Sequence, residues 1–80
     1  MSILVLDGSL LTEALADAGD EDVYVIDQHA AELERLERET ADPRVFYLIG
    51  NAEILPLPDR SVDRALGGEG TPELGRVLRS

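Results

Sequence analysis

The stretch Gly50-Asn51-Ala52-Glu53-Ile54-Leu55-Pro56-Leu57-Pro58-Asp59-Arg60-Ser61-Val62-Asp63 decides how the rest of the chain is read. An apolar run, Val45 to Ile49, leads into it, and a second, Val62 to Leu66, begins as it ends. Short continuous apolar runs of this kind suit strands buried on both faces of a parallel sheet. Gly50 and Asn51 between them are turn-forming residues.

Working outward from that stretch, Ile3-Leu4-Val5-Leu6 reads as a first strand stopped by Asp7 and Gly8. Ser9 is a candidate helix cap. Leu11, Ala14, Leu15 and Ala18 then fall on one helical face, and Gly19 suits the residue after the helix. Val23 to Ile26 reads as a second strand ended by Asp27. Ala30 to Thr40 reads as a second helix, with Leu33 and Leu36 as its apolar stripe. Glu34/Arg38 and Arg35/Glu39 are spaced to pair across one turn. A stop at Ala41-Asp42 precedes Pro43. Gly67-Gly68-Glu69-Gly70 is a loop, and Thr71-Pro72 opens a short last helix carrying Leu74, Val77 and Leu78. The order β-α-β-α-β-β-α implies right-handed crossovers and a small, mostly parallel α/β sheet.

At 80 residues this is one domain, residues 1–80, with no internal repeat or linker. Hydrophobic residues are 44% of the chain, enough for a core. There is no cysteine, so neither a disulfide nor a thiolate metal site is available. The carboxylates show no coordinating spacing, so no metal is expected. No apolar run approaches the roughly 20 residues of a membrane span, so no membrane contact and a cytoplasmic location are expected. Seventeen acids against seven arginines and no lysine give a net charge of −10. Phosphate backbones need a concentrated positive field, so nucleic acid is not an expected partner. The acidity reads first as a solubilising surface.

The chain resembles the class I S-adenosylmethionine-dependent methyltransferases, whose fold is Rossmann-like. The stretch Gly50 to Asp63 resembles that family's loop after strand three, which lies along the cofactor's adenine. Ile3 to Asp7 resembles its first strand and acidic end, Leu11 to Ala16 its first helix, and Val23 to Asp27 its second strand with the ribose-binding acid. Glu73 to Arg79 resembles the helix before strand five. The resemblance implies a cofactor site for S-adenosylmethionine or S-adenosylhomocysteine. Asp27 would take the ribose hydroxyls. Asn51 would accept from the adenine amino group, Ala52 would offer its backbone N–H to the ring, and Asp7 and Gly8 would face the remainder.

Two departures qualify what the resemblance implies. The family's first loop is a Gly-x-Gly-x-Gly stretch; here it is reduced to Asp7-Gly8-Ser9-Leu10. The family's later strands have no counterpart in this sequence, and an open sheet edge at strand four would favour pairing with another chain. A homo-oligomer, most simply a dimer, is the expected state. No catalytic residue is identified: Ser9 and Ser61 lack a histidine partner, and His29 sits at a helix start as an incidental residue. Methyl transfer depends chiefly on positioning, so this does not exclude it. Two functions remain in view. One is a minimal methyltransferase-like, cofactor-binding protein. The other is a non-catalytic interaction or regulatory module on the same scaffold. Binding of another adenine nucleotide is a third, disfavoured by the acidity.

Overall fold

The computed structural model describes residues 2–68 and 71–78. Strands β1 (Ser2–Val5), β2 (Asp22–Asp27), β3 (Val45–Ile49) and β4 (Arg64–Leu66) form one sheet in the order β3-β2-β1-β4. Every pairing is parallel. Helices α1 (Leu11–Ala18), α2 (Ala30–Thr40) and α3 (Glu73–Val77) complete the fold, with a 3₁₀ turn at Gly8–Leu10 before α1. This is the small parallel α/β architecture expected from the sequence. Glu69 and Gly70 of the glycine loop, and Arg79 at the end of the last helical motif, lie outside the described residues.

The two faces of the sheet bury different partners. Side chains alternate along a strand, so Ile3 and Val5 of β1 and Val23 and Val25 of β2 point to one face. There they meet Leu11, Ala14 and Ala18 of α1 and Leu33 and Leu36 of α2. Leu4 and Ile26 point to the other face, against Leu55, Val62 and Val77. That second core is built from α3 and from the stretch between β3 and β4. Burying each of these aliphatic side chains is worth about 1.5–3 kcal/mol relative to exposure, so the 50–63 stretch is part of the fold's stability.

The structure corrects several local expectations. The first turn is capped by Asp7, not Ser9: Asp7 Oδ1 accepts from Ser9 N at 3.0 Å and from Ser9 Oγ at 2.8 Å. An aspartate two residues upstream reaches the turn's amide with a carboxylate, a stronger acceptor than a hydroxyl. β4 is shorter than expected, because Val62 leaves the ladder and bridges Leu78 instead. Pro72 precedes α3 as its cap residue, and Thr71 contributes its carbonyl oxygen, which accepts from Leu74 N at 3.2 Å. On α2, Arg35 pairs with Glu39 and also with Glu32. Glu34 and Arg38 form no ion pair among the described residues.

Arg44 closes the far end of the sheet. It is held by Asp42 at 2.7 Å and donates to the Gly19 carbonyl oxygen at 2.6 Å. The chain leaving α2 is thereby fastened to the chain leaving α1.

Candidate functional site

The C-terminal ends of β1, β2 and β3 carry the candidate residues, where parallel α/β sheets bind ligands. Two depressions open there. One, of about 440 Å³, is lined by Asp27, His29, Gly50, Asn51, Ala52 and Glu53 among others. The other, of about 1050 Å³, is lined by Asp7, Gly8, Thr12, Asp27, Leu36 and Gly68 among others. Leu6, Asp27 and His29 line both. The five residues singled out from the sequence therefore border one continuous rim, with Asp27 at the junction.

Asp27 ends β2, paired with Ile49 across the ladder. Its Oδ1 accepts the His29 N–H at 2.8 Å and lies 3.1 Å from His29 Nδ1. This local loop turns the carboxylate back along its own chain and leaves Oδ2 without a partner among the described residues. The side chain is about one-quarter exposed, 24%, so a ligand hydroxyl can reach it. His29 is 71% exposed and stands on the opposite side of that contact.

Asn51 follows a different logic. Its Oδ1 accepts from Glu53 N at 2.8 Å and from Ile54 N at 3.0 Å. A side-chain carbonyl closing a turn over its own backbone is the usual role of Asn in such loops. The acceptor expected for an adenine amino group is thus already engaged twice. The donor Nδ2 is the part of this amide with no partner among the described residues. Ala52 N makes no hydrogen bond with described residues and lines the same depression.

Asp7 spends Oδ1 on the Ser9 cap, and that hydrogen bonding holds its carboxyl below the usual aspartate range. It is ionised at neutral pH, and its Oδ2 has no donor among the described residues. Gly8 is small for a packing reason: a Cβ there would lie 2.8 Å from Leu36 Cδ1. Sequence reasoning missed a second glycine effect. Gly68 has φ +68°, and a Cβ added to it would stand 2.2 Å from Leu6 Cδ1. Only glycine lets the segment after β4 run this close to the end of β1. The doublet Gly67-Gly68 at a strand end was the available signal.

The 50–63 stretch is pinned along its length. Leu55 N donates to Glu73 Oε1 at 3.0 Å. Arg76 donates to the Leu55 and Leu57 carbonyl oxygens and to Asp59. At its end, Asp63 Oδ2 accepts the Ser2 N–H at 2.8 Å and Ser2 Oγ donates to the Ser61 carbonyl oxygen. These contacts fix where the Asn51 turn sits relative to Asp27.

Residues 7–69 match the methyltransferase-domain family. The match spans most of the chain, and the chain belongs to that family. No curated protein gives a sequence match. Two solved structures share the fold. One is a chain from the complex of the Haloferax volcanii methyltransferase activator Trm112 with a protein assigned as a methyltransferase. It has a TM-score of 0.74 and 19% identity over 98% of this chain. The other is the YcgJ protein of Bacillus subtilis, with a TM-score of 0.72 and 22% identity over 99% of this chain. The chain spans 40% of the length of each. No helix among the described residues is long and apolar enough to cross a membrane, and no described cluster of His, Cys, Asp or Glu could hold a metal ion.

Proposed function

We propose that this chain binds the nucleoside half of S-adenosylmethionine, and of its demethylated product, at the rim formed by Asp27, Asn51 and Ala52. The observation that carries the reading is Asp27 Oδ2: a carboxylate oxygen without a partner among the described residues, on a part-exposed side chain at a strand end, lining a depression of about 440 Å³. A ribose offers two hydroxyl donors, and an ionised acceptor is the stronger partner for them. Asn51 would meet the adenine as a donor through Nδ2, because Oδ1 is already used by the turn. Ala52 N would add a second donor to the ring.

Fit is poorer for the methionine half. Asp7 and Gly8 would face it, but among the described residues the only arginine lining the larger depression is Arg35, which is paired with Glu32 and Glu39. A ligand carboxylate therefore finds no uncommitted arginine there among the described residues. When bound, the cofactor supplies an electrophilic methyl group on a sulfonium. The chain's own residues hold and orient it, and a methyl acceptor would be admitted by groups not identified on this rim.

That imbalance favours a second reading: a non-catalytic interaction or regulatory module that does not bind the cofactor. Calorimetric titration with S-adenosylmethionine, S-adenosylhomocysteine and adenosine separates the two. Heat with all three at similar affinity supports nucleoside recognition through Asp27. No heat from any of them, with the protein folded, removes the cofactor reading and leaves the interaction module. Self-association, expected from the sequence, is part of this proposal and is tested by light scattering from micromolar to millimolar concentration.

A further inference from the structure

β3 is an edge strand, hydrogen-bonded in the sheet, among the described residues, only to β2. Backbone groups of successive residues in a strand point alternately to its two sides. Val23 N donates to the Arg44 carbonyl oxygen, and Gly50 N donates to that of Asp27. Residues 44, 46, 48 and 50 therefore face β2, while Val45, Tyr47 and Ile49 turn their backbone groups outward. Val45 N is satisfied by the Asp42 carbonyl oxygen at 3.1 Å. The N–H groups of Tyr47 and Ile49 have no partner among the described residues.

Edge strands are ordinarily blunted by charge, proline, a bulge or a cover. Val45-Phe46-Tyr47-Leu48-Ile49 contains neither charge nor proline. Phe46 is 44% exposed and Ile49 is 65% exposed. The two sides of this edge differ in chemistry. On one side Phe46 stacks on Tyr24 with ring centroids 5.4 Å apart, and Leu48 packs against the second core. On the other, beside Val45 and Tyr47, runs a groove of about 660 Å³ whose charged lining is Glu34, Glu37, Asp42 and Arg38. Tyr47 itself lines this groove and is partly buried against the first core.

We propose that β3 accepts an added strand from a partner protein in which basic and apolar residues alternate. Strand addition would pair the outward groups of Tyr47 and Ile49. The period of two would send basic side chains over Glu34 and Glu37 and apolar ones over Phe46 and Leu48. A second copy of this chain is the wrong occupant. Its β3 carries no cation, and it would bring a like groove and a like net charge of −10 to the same axis.

The test uses two short synthetic peptides with the same alternating valines and isoleucines, one carrying arginine between them and one glutamate. Calorimetry reads affinity, and amide hydrogen exchange reads the site. The arginine peptide should slow exchange at Tyr47 and Ile49 and bind at least about tenfold tighter than the glutamate peptide, since like charges across an interface cost several kcal/mol. Ile49→Pro removes one outward N–H at a position where an edge strand tolerates proline. It should abolish the protection of Tyr47. Glu34→Gln with Glu37→Gln, which leaves the strand untouched, should narrow the gap between the peptides. Equal binding of both peptides overturns the proposal, as does binding that leaves Tyr47 and Ile49 exchange unchanged. Protection of the same amides by raising the protein's own concentration overturns it in favour of a second copy.

Discussion

Arg76 and Leu55 are joined through the backbone: Arg76 Nη2 donates to the Leu55 carbonyl oxygen at 3.0 Å. The same guanidinium reaches Leu57 O at 2.8 Å and is held by Glu73, whose Oε1 accepts the Leu55 N–H. Glu73 lies below its usual carboxyl range because Arg76 and the Leu55 amide both bond its charged form. Two sequence motifs, the 50–63 stretch and the Glu73-x-x-Arg76 helix, are thus one structural unit.

Arg76→Ala should therefore damage the loop more than the helix. It leaves the Leu55 and Leu57 carbonyls without their side-chain donor, and Leu55 is a core residue, 3% exposed. Melting should fall by several degrees, as expected when one or more kcal/mol is lost from a domain of this size. Amide exchange at residues 53–60 should rise first. Arg76→Lys should not restore either, because an ammonium cannot fork to two carbonyls and a carboxylate in fixed geometry. Rescue by lysine would show that charge alone holds the loop.

The glycines after β4 make a sharper test of close approach. Gly68→Ala adds a Cβ 2.2 Å from Leu6 Cδ1 at a φ of +68°. The left-handed backbone alone costs about 1–2 kcal/mol for an L residue, and the contact adds to it. Gly19 also has positive φ, but a Cβ there meets nothing within 4 Å. Gly19→Ala should thus cost clearly less than Gly68→Ala in denaturant melts. Equal losses would mean that backbone strain, not the approach to Leu6, is what these glycines relieve.

How much of this was legible in the sequence follows from where each signal lives. The bounds of α2 and β3 come straight from periodicity and runs: Leu33 and Leu36 mark one helical stripe, and Val45 to Ile49 is unbroken. The shortening of β4 was hidden, because Val62 looks like a strand residue but forms only an isolated bridge to Leu78, outside the ladder. Among site residues, Asp27 was visible as an acid ending a strand. The turn-closing use of Asn51 Oδ1 was not decidable from composition, since Asn serves turns and ligands with the same atoms. The Glu73–Arg76 clamp acts between residues about twenty positions apart and needed the fold to appear.

The Asp42–Arg44 pair predicts a defined acid response. Hydrogen bonds from Arg44 lower the Asp42 carboxyl from 3.8 to about 2. A folded-state value below the unfolded one adds stability that is complete above the unfolded value and is lost as pH falls through the folded one. The window is therefore from about pH 4 down to about pH 2. Asp42→Asn should melt below the wild type at pH 7, and the two curves should converge across that window. A constant difference down to pH 2 would show that Asp42 acts through shape and not through its charge.

Asp27 offers the most direct link between geometry and the proposed activity. Oδ1 is anchored by the His29 N–H, and Oδ2 is the acceptor that a ribose would meet. Asp27→Ala should weaken adenosine binding by about 1.5–3 kcal/mol, roughly ten- to a hundredfold, the cost of hydrogen bonds to a charged group. Asp27→Asn retains shape and one acceptor, so it should fall between wild type and alanine. His29→Ala keeps the backbone N–H that fixes Oδ1, so its affinity should stay near that of the wild type. If His29→Ala weakens binding as much as Asp27→Ala, the imidazole itself meets the ligand. If neither substitution changes the titration, the ligand does not lie at the end of β2, and the rim between Asp27 and Asn51 is a structural feature of the fold.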